Sequence, residues 1–332
     1  MKRSSLLLLL TGLCLVALPW PAPAPLIYTP GEGWSYEPVG GEGKWRRARA
    51  KDQLEVAQTA FDKRQFGLAL KAARRVVRQW PMSDFAPQAQ YLVGRCYEAR
   101  RQDQRAFKEY QTLLEKYPKA ANTEEVLMRQ FEIATRFLGG QWFKILGYIP
   151  FFPSMTKTAE MFEKVVSNGP FSPVAPQAQL RVGAAREKAR DYPLAVKAYE
   201  QAADRYFDRP AVAAEAVYRA GMAHYKQAQK AEYDQGAAGR AIATFTDFAT
   251  LFPDDPRVPE VQKLVAGLKR EQARGSYEIA RFYEKKRSWN GAVIYYNEVL
   301  LLDPQSPYAE EARRRIETIK PKIQAAATRA GS

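Results

Sequence analysis

The side chains that most often carry catalysis or bind metal ions are scarce in this chain. Its 332 residues include one histidine, His224, and two cysteines, Cys14 and Cys96. One histidine allows no histidine-rich metal cluster and no obvious pairing of a nucleophile with a base, and no glycine-rich phosphate loop is present. His224 and Cys96 lie in helical patterns, where we expect structural roles. The sequence predicts a protein that is not an enzyme and that needs no cofactor or metal.

Arginines beside aromatic residues are better suited to recognition than to catalysis. Tyr91 and Arg95 lie four residues apart, and Arg129 and Phe131 lie two apart. An arginine can bind a carboxylate through two parallel hydrogen bonds while a ring stacks beside it. The alternative is that Arg95 is a solvated helix residue and Tyr91 belongs to the core.

The elements that position these residues are repeated. Two 19-residue stretches, which begin at Trp80 and Gly169, agree at ten positions. In each, a glycine (Gly94, Gly183) precedes an alanine by twelve residues, and an aromatic residue follows that alanine by four. This spacing is typical of a tetratricopeptide repeat, in which small residues let two helices approach closely. We therefore predict an all-α fold, an α-solenoid of about six tetratricopeptide-like helical hairpins. The predicted hairpins close near Pro81, Pro118, Pro170, Pro210, Pro253 and Pro304.

A second pattern recurs between hairpins: a proline and a serine, followed by two alanines three residues apart. It begins at Pro81, Pro170 and Pro304. The proline ends the outgoing helix, and we expect the serine to cap the incoming helix by accepting a backbone N–H. The alanines place small side chains on the helix face that packs against the previous hairpin. A plain helical bundle would not require spacing, caps and stops to agree in this way.

The repeat frame combined with this linker resembles the BamD (YfiO) family, the tetratricopeptide component of the outer-membrane β-barrel assembly machinery. The resemblance covers residues 48–320. The chain departs from the family pattern in its six rather than five hairpins, in the insertion 138–155, and in Leu13, which is too large for the position before a lipidated Cys14. The resemblance is strongest at Asp234, Ala241, Phe245, Phe248, Tyr277, Ala280, Tyr283, Trp289 and Ala292.

The resemblance implies a periplasmic adaptor that docks on the barrel-forming assembly subunit and receives unfolded outer-membrane proteins. Its N-terminal groove would then hold client segments that end in an aromatic residue and a carboxylate, at Tyr91, Arg95, Arg129 and Phe131. An alternative is an envelope adaptor that coordinates cell division or peptidoglycan synthesis. Such proteins share the linker but usually add a coiled coil, and no sustained heptad run precedes residue 48. An enzyme that carries tetratricopeptide repeats beside a catalytic domain is a third alternative, but the predicted repeats nearly fill the chain and leave no room for such a domain.

Two further surfaces are predicted. Arg274, Tyr277, Arg281 and Lys285 share a helix that could dock on an acidic partner domain, although the same face could simply be solvated. The insertion between Leu138 and Met155 is crowded with aromatic and aliphatic residues. It could contact a membrane or a partner, or it could pack under the neighbouring hairpins. The residues assigned to this patch are Trp142, Phe143, Phe151 and Phe152.

The N-terminus resembles an export signal. Lys2 and Arg3 precede the apolar run Leu6–Leu18, and small residues follow at Ala22–Ala24. Cleavage, lipidation of Cys14 and retention as an anchor all stay open. The 51 basic and 36 acidic residues give a net charge of +15, spread along the chain with short clusters such as Arg74–Arg78. Export and this spread argue against a nucleic-acid partner, and the family resemblance implies a location at the periplasmic face of the outer membrane.

The sequence divides into five predicted parts. Residues 1–24 form the export signal, 25–47 an extended lead-in, 48–210 the N-terminal hairpins with the insertion 138–155, 211–320 the C-terminal hairpins with a capping helix, and 321–332 a tail.

Overall fold

The computed structural model describes residues 26–31, 33–36, 45–119, 122–145, 149–230 and 235–330. The predicted export signal lies outside these residues. Thirteen helices dominate the described chain and confirm the all-α prediction. They are α1 (Ala50–Asp62), α2 (Phe66–Gln79), α3 (Ala86–Ala99), α4 (Asp103–Lys116), α5 (Thr123–Leu138), α6 (Met155–Asn168), α7 (Ala175–Lys188), α8 (Tyr192–Arg205), α9 (Pro210–Lys230), α10 (Gln235–Leu251), α11 (Val258–Lys285), α12 (Trp289–Leu302) and α13 (Pro307–Ala330).

The helices pair in chain order, so that α1 to α12 form six hairpins and α13 follows the last one. The chain divides into two compact units: residues up to Val126 with Lys144–Ile149, and Leu127–Phe143 with residues from Pro150 onward. The division predicted at residue 210 lies inside the second unit. Within each unit, the first helices of successive hairpins also touch, namely α1 with α3, α7 with α9, and α11 with α13. This stacking is how tetratricopeptide hairpins bury their apolar faces.

The repeated glycines lie where the two helices of a hairpin approach most closely. A Cβ atom added to Gly94 would lie 2.3 Å from the ring of Tyr110, and one added to Gly183 would lie 2.4 Å from the ring of Tyr199. Gly221 meets Phe245 in the same way, at 2.6 Å. The aromatic residue four positions after the repeated alanine therefore fills the space that the glycine leaves, and a Cβ atom at these distances would overlap the ring.

Repeated polar side chains tie the same helices together. The buried amide of Gln90 donates to the backbone oxygen of Glu109 at 3.0 Å, and that of Gln179 donates to Ala198 at the same distance. The hydroxyl of Tyr110 donates to Glu98 at 2.9 Å. Because these bonds join the first helix of a hairpin to the second, they fix the pairing as well as satisfying buried polar atoms.

The linker serines do not all cap the following helices, so that prediction was wrong in part. The helices begin at Ala86 and Ala175, three residues after Ser83 and Ser172, and neither has a side-chain cap. The hydroxyl of Ser172 donates to the backbone oxygen of Gly169 at 2.7 Å. Ser306 behaves as expected, since its hydroxyl accepts from the N–H of Ala309 at 3.2 Å.

Two features extend the predicted organisation. The lead-in contains a β-hairpin in which β1 (Leu26–Thr29) pairs antiparallel with β2 (Gly33–Tyr36), and the insertion contains the short strands β3 (Phe143–Ile145) and β4 (Ile149–Phe152). The last helix does not end at residue 320: it continues through Pro321 to Ala330, so most of the predicted tail is helical.

Candidate functional site

Tyr91 and Arg95 lie together on α3, as the peptide-groove prediction requires. The Nη1 atom of Arg95 donates to the hydroxyl of Tyr91 at 3.2 Å, and its guanidinium lies 5.4 Å from the centre of the Phe61 ring. The Arg95 side chain keeps about a third of its surface exposed, at 32%. An arginine that is partly exposed and held between two rings is pre-positioned for a carboxylate.

A carboxylate of the chain itself already lies at this place. The hydroxyl of Tyr91 donates to Glu125 on α5, and the Glu125 carboxylate is 4.0 Å from the Arg95 guanidinium. No sequence pattern indicated Glu125, because it belongs to the next hairpin and only packing brings it to α3. Tyr91, Arg95 and Glu125 are here called the α3 triad.

The other two predicted groove residues lie in the second compact unit. Phe131 is half-buried on α5, and its ring makes an edge contact with Phe162 of α6 at 5.7 Å between centroids. Arg129 is half-buried on the same helix. Phe131 therefore contributes to the packing of its own hairpin, and only part of its ring surface is left for the predicted contact with a client peptide.

The predicted docking face on α11 separates into packed and exposed members. The ring of Tyr277 lies 5.7 Å from Tyr296 and 5.6 Å from Tyr308, which makes it part of the core of the last hairpin. Arg274 pairs with Glu271 at 2.9 Å. Arg281 and Lys285 are exposed, and among the described residues neither has a carboxylate at ion-pair distance. These two residues, the α11 basic pair, are the members suited to meeting an acidic partner.

The predicted membrane or partner patch is smaller than expected. Trp142 is 52% exposed and Phe152 is 37% exposed, but Phe143 retains only 6% of its surface because its ring stacks on Phe137 at 4.3 Å. Including Phe143 in the patch was therefore wrong. The ammonium group of Lys157 lies 5.5 Å from the Phe152 ring. The backbone of Phe151 belongs to β4, and the rings of Trp142 and Phe152 are exposed.

His224 and Cys96 occupy the helical cores, where they were expected. Burial lowers the pKa of His224, and the nearby charge of Arg240 lowers it further, against a hydrogen bond with Gln227. Cys96 is fully buried on α3. Within the described ranges, no group of three or more histidine, cysteine, aspartate or glutamate side chains could hold a metal ion.

The stacked hairpins with glycine–aromatic crossings define a tetratricopeptide-repeat protein, a class of protein-interaction scaffold. Residues 54–121 match a tetratricopeptide-repeat family, and residues 153–312 match the YfiO family, described as outer membrane lipoproteins. These matches confirm the predicted resemblance to the BamD/YfiO-like tetratricopeptide-repeat family, which the YfiO match places in residues 153–312. No curated protein matches it. Among the described helices, none combines the length and apolar composition that a membrane span requires.

Several solved structures are similar to the chain. The C-terminal part of a repeat-containing protein from Cytophaga hutchinsonii is 15% identical, with a TM-score of 0.35 and coverage of 80% of this chain and 87% of that one. MamA from Desulfovibrio magneticus is 14% identical, with a TM-score of 0.32 and coverage of 62% and 97%. A tetratricopeptide protein from Parabacteroides merdae is 11% identical, with a TM-score of 0.31 and coverage of 82% and 98%.

Proposed function

We propose that this protein is a non-enzymatic periplasmic scaffold of the outer-membrane β-barrel assembly machinery. It binds the barrel-forming assembly subunit and unfolded client proteins at the periplasmic face of the outer membrane. The observation that carries the proposal is the match of residues 153–312 to the YfiO outer membrane lipoproteins, on a chain built from tetratricopeptide hairpins. Repeats of this kind present a surface to peptides and folded domains, which is what a scaffold requires.

The α11 basic pair supports docking on the assembly subunit. Arg281 and Lys285 lie within the matched residues and project charge that no described carboxylate neutralises. An acidic face on a partner domain would supply that neutralisation and would speed association through long-range attraction.

The α3 triad supports client binding in the N-terminal hairpins. The C-terminal carboxylate of a client would replace the Glu125 carboxylate beside Tyr91 and Arg95. The client's terminal aromatic residue would then stack against the rings of Tyr91 and Phe61, which flank Arg95. Glu125 then acts as a stand-in that keeps the arginine paired when no client is bound.

The scaffold proposal is tested by affinity capture from detergent-solubilised membranes. We expect the tagged chain to recover a barrel-forming assembly subunit with periplasmic repeats. Recovery of only peptidoglycan-synthesis or cell-division proteins would support the alternative envelope adaptor and would refute the assembly role.

The docking face is tested by charge reversal. Arg281→Glu with Lys285→Glu should weaken recovery of the assembly subunit, and the difference from the unaltered protein should grow as salt is lowered towards physiological strength, because screening decreases. The matched control is Lys263→Glu with Lys269→Glu, which changes the net charge equally on the same helix at exposed positions. Equal losses in both variants would show that only net charge matters.

Client binding is tested with a peptide that ends in an aromatic residue and a carboxylate. Anisotropy should show that Arg95→Ala weakens binding about tenfold, as expected for losing one charge-assisted pair. Glu125→Gln should strengthen binding, since the stand-in carboxylate is removed. An amidated peptide that binds as tightly as the acid would show that no carboxylate is recognised.

A further inference from the structure

A cavity of about 390 Å³ in the first compact unit is lined mainly by cations. It lies between α2 and the segment that precedes α1, and the indole of Trp45 contributes to its lining. Of the lining residues, five are basic and none is acidic. The five cations are Arg46, Lys71, Arg74, Arg75 and Arg78, here called the α2 basic pocket.

The charges of this pocket are arranged unfavourably for the protein alone. Lys71, Arg74, Arg75 and Arg78 lie three, four and seven residues apart along α2, so they share one helix face. Like charges at these spacings destabilise a helix. Arg74 is 3.4 Å from Glu109, but for the other four cations no carboxylate of the described residues lies at ion-pair distance. Such a stripe lacks the alternating charges that stabilise a solvated helix.

Arg75 gives a second, independent indication. Its Nε atom is buried and has no hydrogen-bond partner, and its guanidinium lies 5.7 Å from the centre of the Trp80 ring. Burial lowers the pKa of Arg75, and the positive charge of Arg46 lowers it further. A buried donor without a partner is costly, and an anion in the cavity would offset the repulsion between Arg75 and Arg46.

A cavity elsewhere in the chain shows the contrast. The cavity of about 530 Å³ between α6, α7 and α8 of the second unit also contains basic residues. There, Glu163 pairs with Arg186 at 3.0 Å, so the chain supplies its own counter-charge. In the α2 basic pocket only Arg74 has such a carboxylate, Glu109, and the other four cations have none at ion-pair distance among the described residues.

We propose that the α2 basic pocket binds a phosphate group that carries two or more negative charges, held by Arg46, Arg75 and Arg78. A single carboxylate would leave most of the four unpaired positive charges unneutralised, whereas a phosphomonoester or pyrophosphate offers several oxygens to the guanidinium forks. The cavity volume accommodates such a group. The group can come from a free phosphate compound or from a lipid headgroup. This binding is separate from the scaffold role and does not depend on it.

The proposal is tested with the purified full chain and two probes. Calorimetric titration uses inorganic pyrophosphate, and flotation uses phosphatidylcholine vesicles with and without phosphatidic acid, whose headgroup is a phosphomonoester. The test variant is Arg46→Ala with Arg78→Ala, two partly or fully exposed positions whose change spares the helix core. The control variant is Lys263→Ala with Lys269→Ala, which removes the same charge from α11. Circular dichroism confirms that both fold.

The expected result is at least about a tenfold weaker affinity in the test variant and less than about a twofold change in the control. If the test variant binds pyrophosphate more weakly than the unaltered protein does, the ligand is a free phosphate compound. If it is weakened only in binding to vesicles that contain phosphatidic acid, the ligand is a lipid headgroup. Equal affinities in the two variants, or no saturable binding to either probe, would overturn the proposal.

Discussion

The hydroxyl of Tyr199 donates a hydrogen bond of 3.0 Å to the carboxylate of Glu187, which lies on the other helix of the same hairpin. Glu187 also accepts from Lys226 on α9, the first helix of the next hairpin. The arrangement recurs where Tyr296 donates to Glu284 at 2.7 Å and Arg315 of α13 approaches Glu284 at 3.4 Å. One carboxylate thus holds a hairpin closed and ties it to its neighbour.

Removing the hydroxyl in Tyr199→Phe should lower the free energy of unfolding by about 1.5 kcal/mol, because a hydrogen bond to a charged acceptor is lost while Lys226 still pairs with Glu187. Burial, followed by the charge of Glu187, raises the pKa of Tyr199, so the phenol remains a donor throughout the neutral range. The measurement is urea unfolding followed by circular dichroism.

The matched control is Phe245→Tyr. Phe245 occupies the position of Tyr199 against Gly221, but Tyr225 replaces the glutamate four residues after that glycine. A new hydroxyl there has no carboxylate to meet, so we expect a loss of about 1–3 kcal/mol. If Phe245→Tyr stabilised the protein, the recurring glutamate would not be the reason for the recurring tyrosine.

Gly183→Ala should destabilise the protein by about 1–3 kcal/mol, because the added methyl group would lie 2.4 Å from the Tyr199 ring and the packed helices must separate. Gly267→Ala is the control, since nothing lies within 4 Å of an added Cβ atom. It should raise stability by about 0.5–1 kcal/mol through helix propensity alone. Thermal unfolding measures both, and similar effects at both sites would disprove the close-approach explanation.

Hairpin turns place an arginine in the left-handed region. Arg64, Arg101, Arg190 and Arg287 have φ between 54° and 61°, each between the two helices of a hairpin. We expect Arg190→Val to be about 1–2 kcal/mol less stable than Arg190→Gly, because a β-branched residue clashes in this conformation and glycine does not. Denaturant midpoints that agree for the two variants would mean that the turn relaxes to another conformation.

The Cys96 thiol should report folding through its reactivity. Burial, which outweighs the positive charges of Arg100 and Arg95, raises the pKa of Cys96 to about 11 from 9.0. In a Cys14→Ser background, alkylation of the folded protein at pH 8 should be about a hundredfold slower than that of the unfolded protein, because the reactive thiolate is that much rarer. Mass spectrometry of quenched samples measures the rate.

The raised pKa of Cys96 also determines the direction in which the free energy of unfolding changes with pH. The folded-state pKa of Cys96 lies above the unfolded value, so its contribution to stability is complete below about pH 9 and is lost as the pH rises towards 11. Cys96→Ala should remove this part of the decline. Rapid labelling of the native protein at pH 8 would show that the thiol is more accessible than its burial indicates.

The helical hairpins were predictable because their signals are local. A glycine, an alanine and an aromatic residue at fixed spacing describe one crossing of two adjacent helices, and Gly183 with Tyr199 meets there as expected. The prolines that end helices act within a few residues. The serine caps failed at Ser83 and Ser172, because the motif does not encode where a hydroxyl points.

The candidate site was predictable only where its members share a helix. Tyr91 and Arg95 lie one turn apart, so their proximity follows from helix geometry. Glu125 comes from another hairpin and could not be found in this way. Tyr277 was assigned to a surface because its helix also carries basic residues, yet Tyr296 and Tyr308 enclose it.

The sequence by itself determined that this chain folds as stacked helical hairpins, because small residues, aromatic residues and prolines recur at the spacing that such hairpins need. It also showed a short basic cluster at Arg74–Arg78. Only the tertiary structure decided that Arg46 joins that cluster around a cavity and that Phe143 turns inward. Exposure and counter-charge depend on neighbours that are distant along the chain, and packing alone brings those neighbours together.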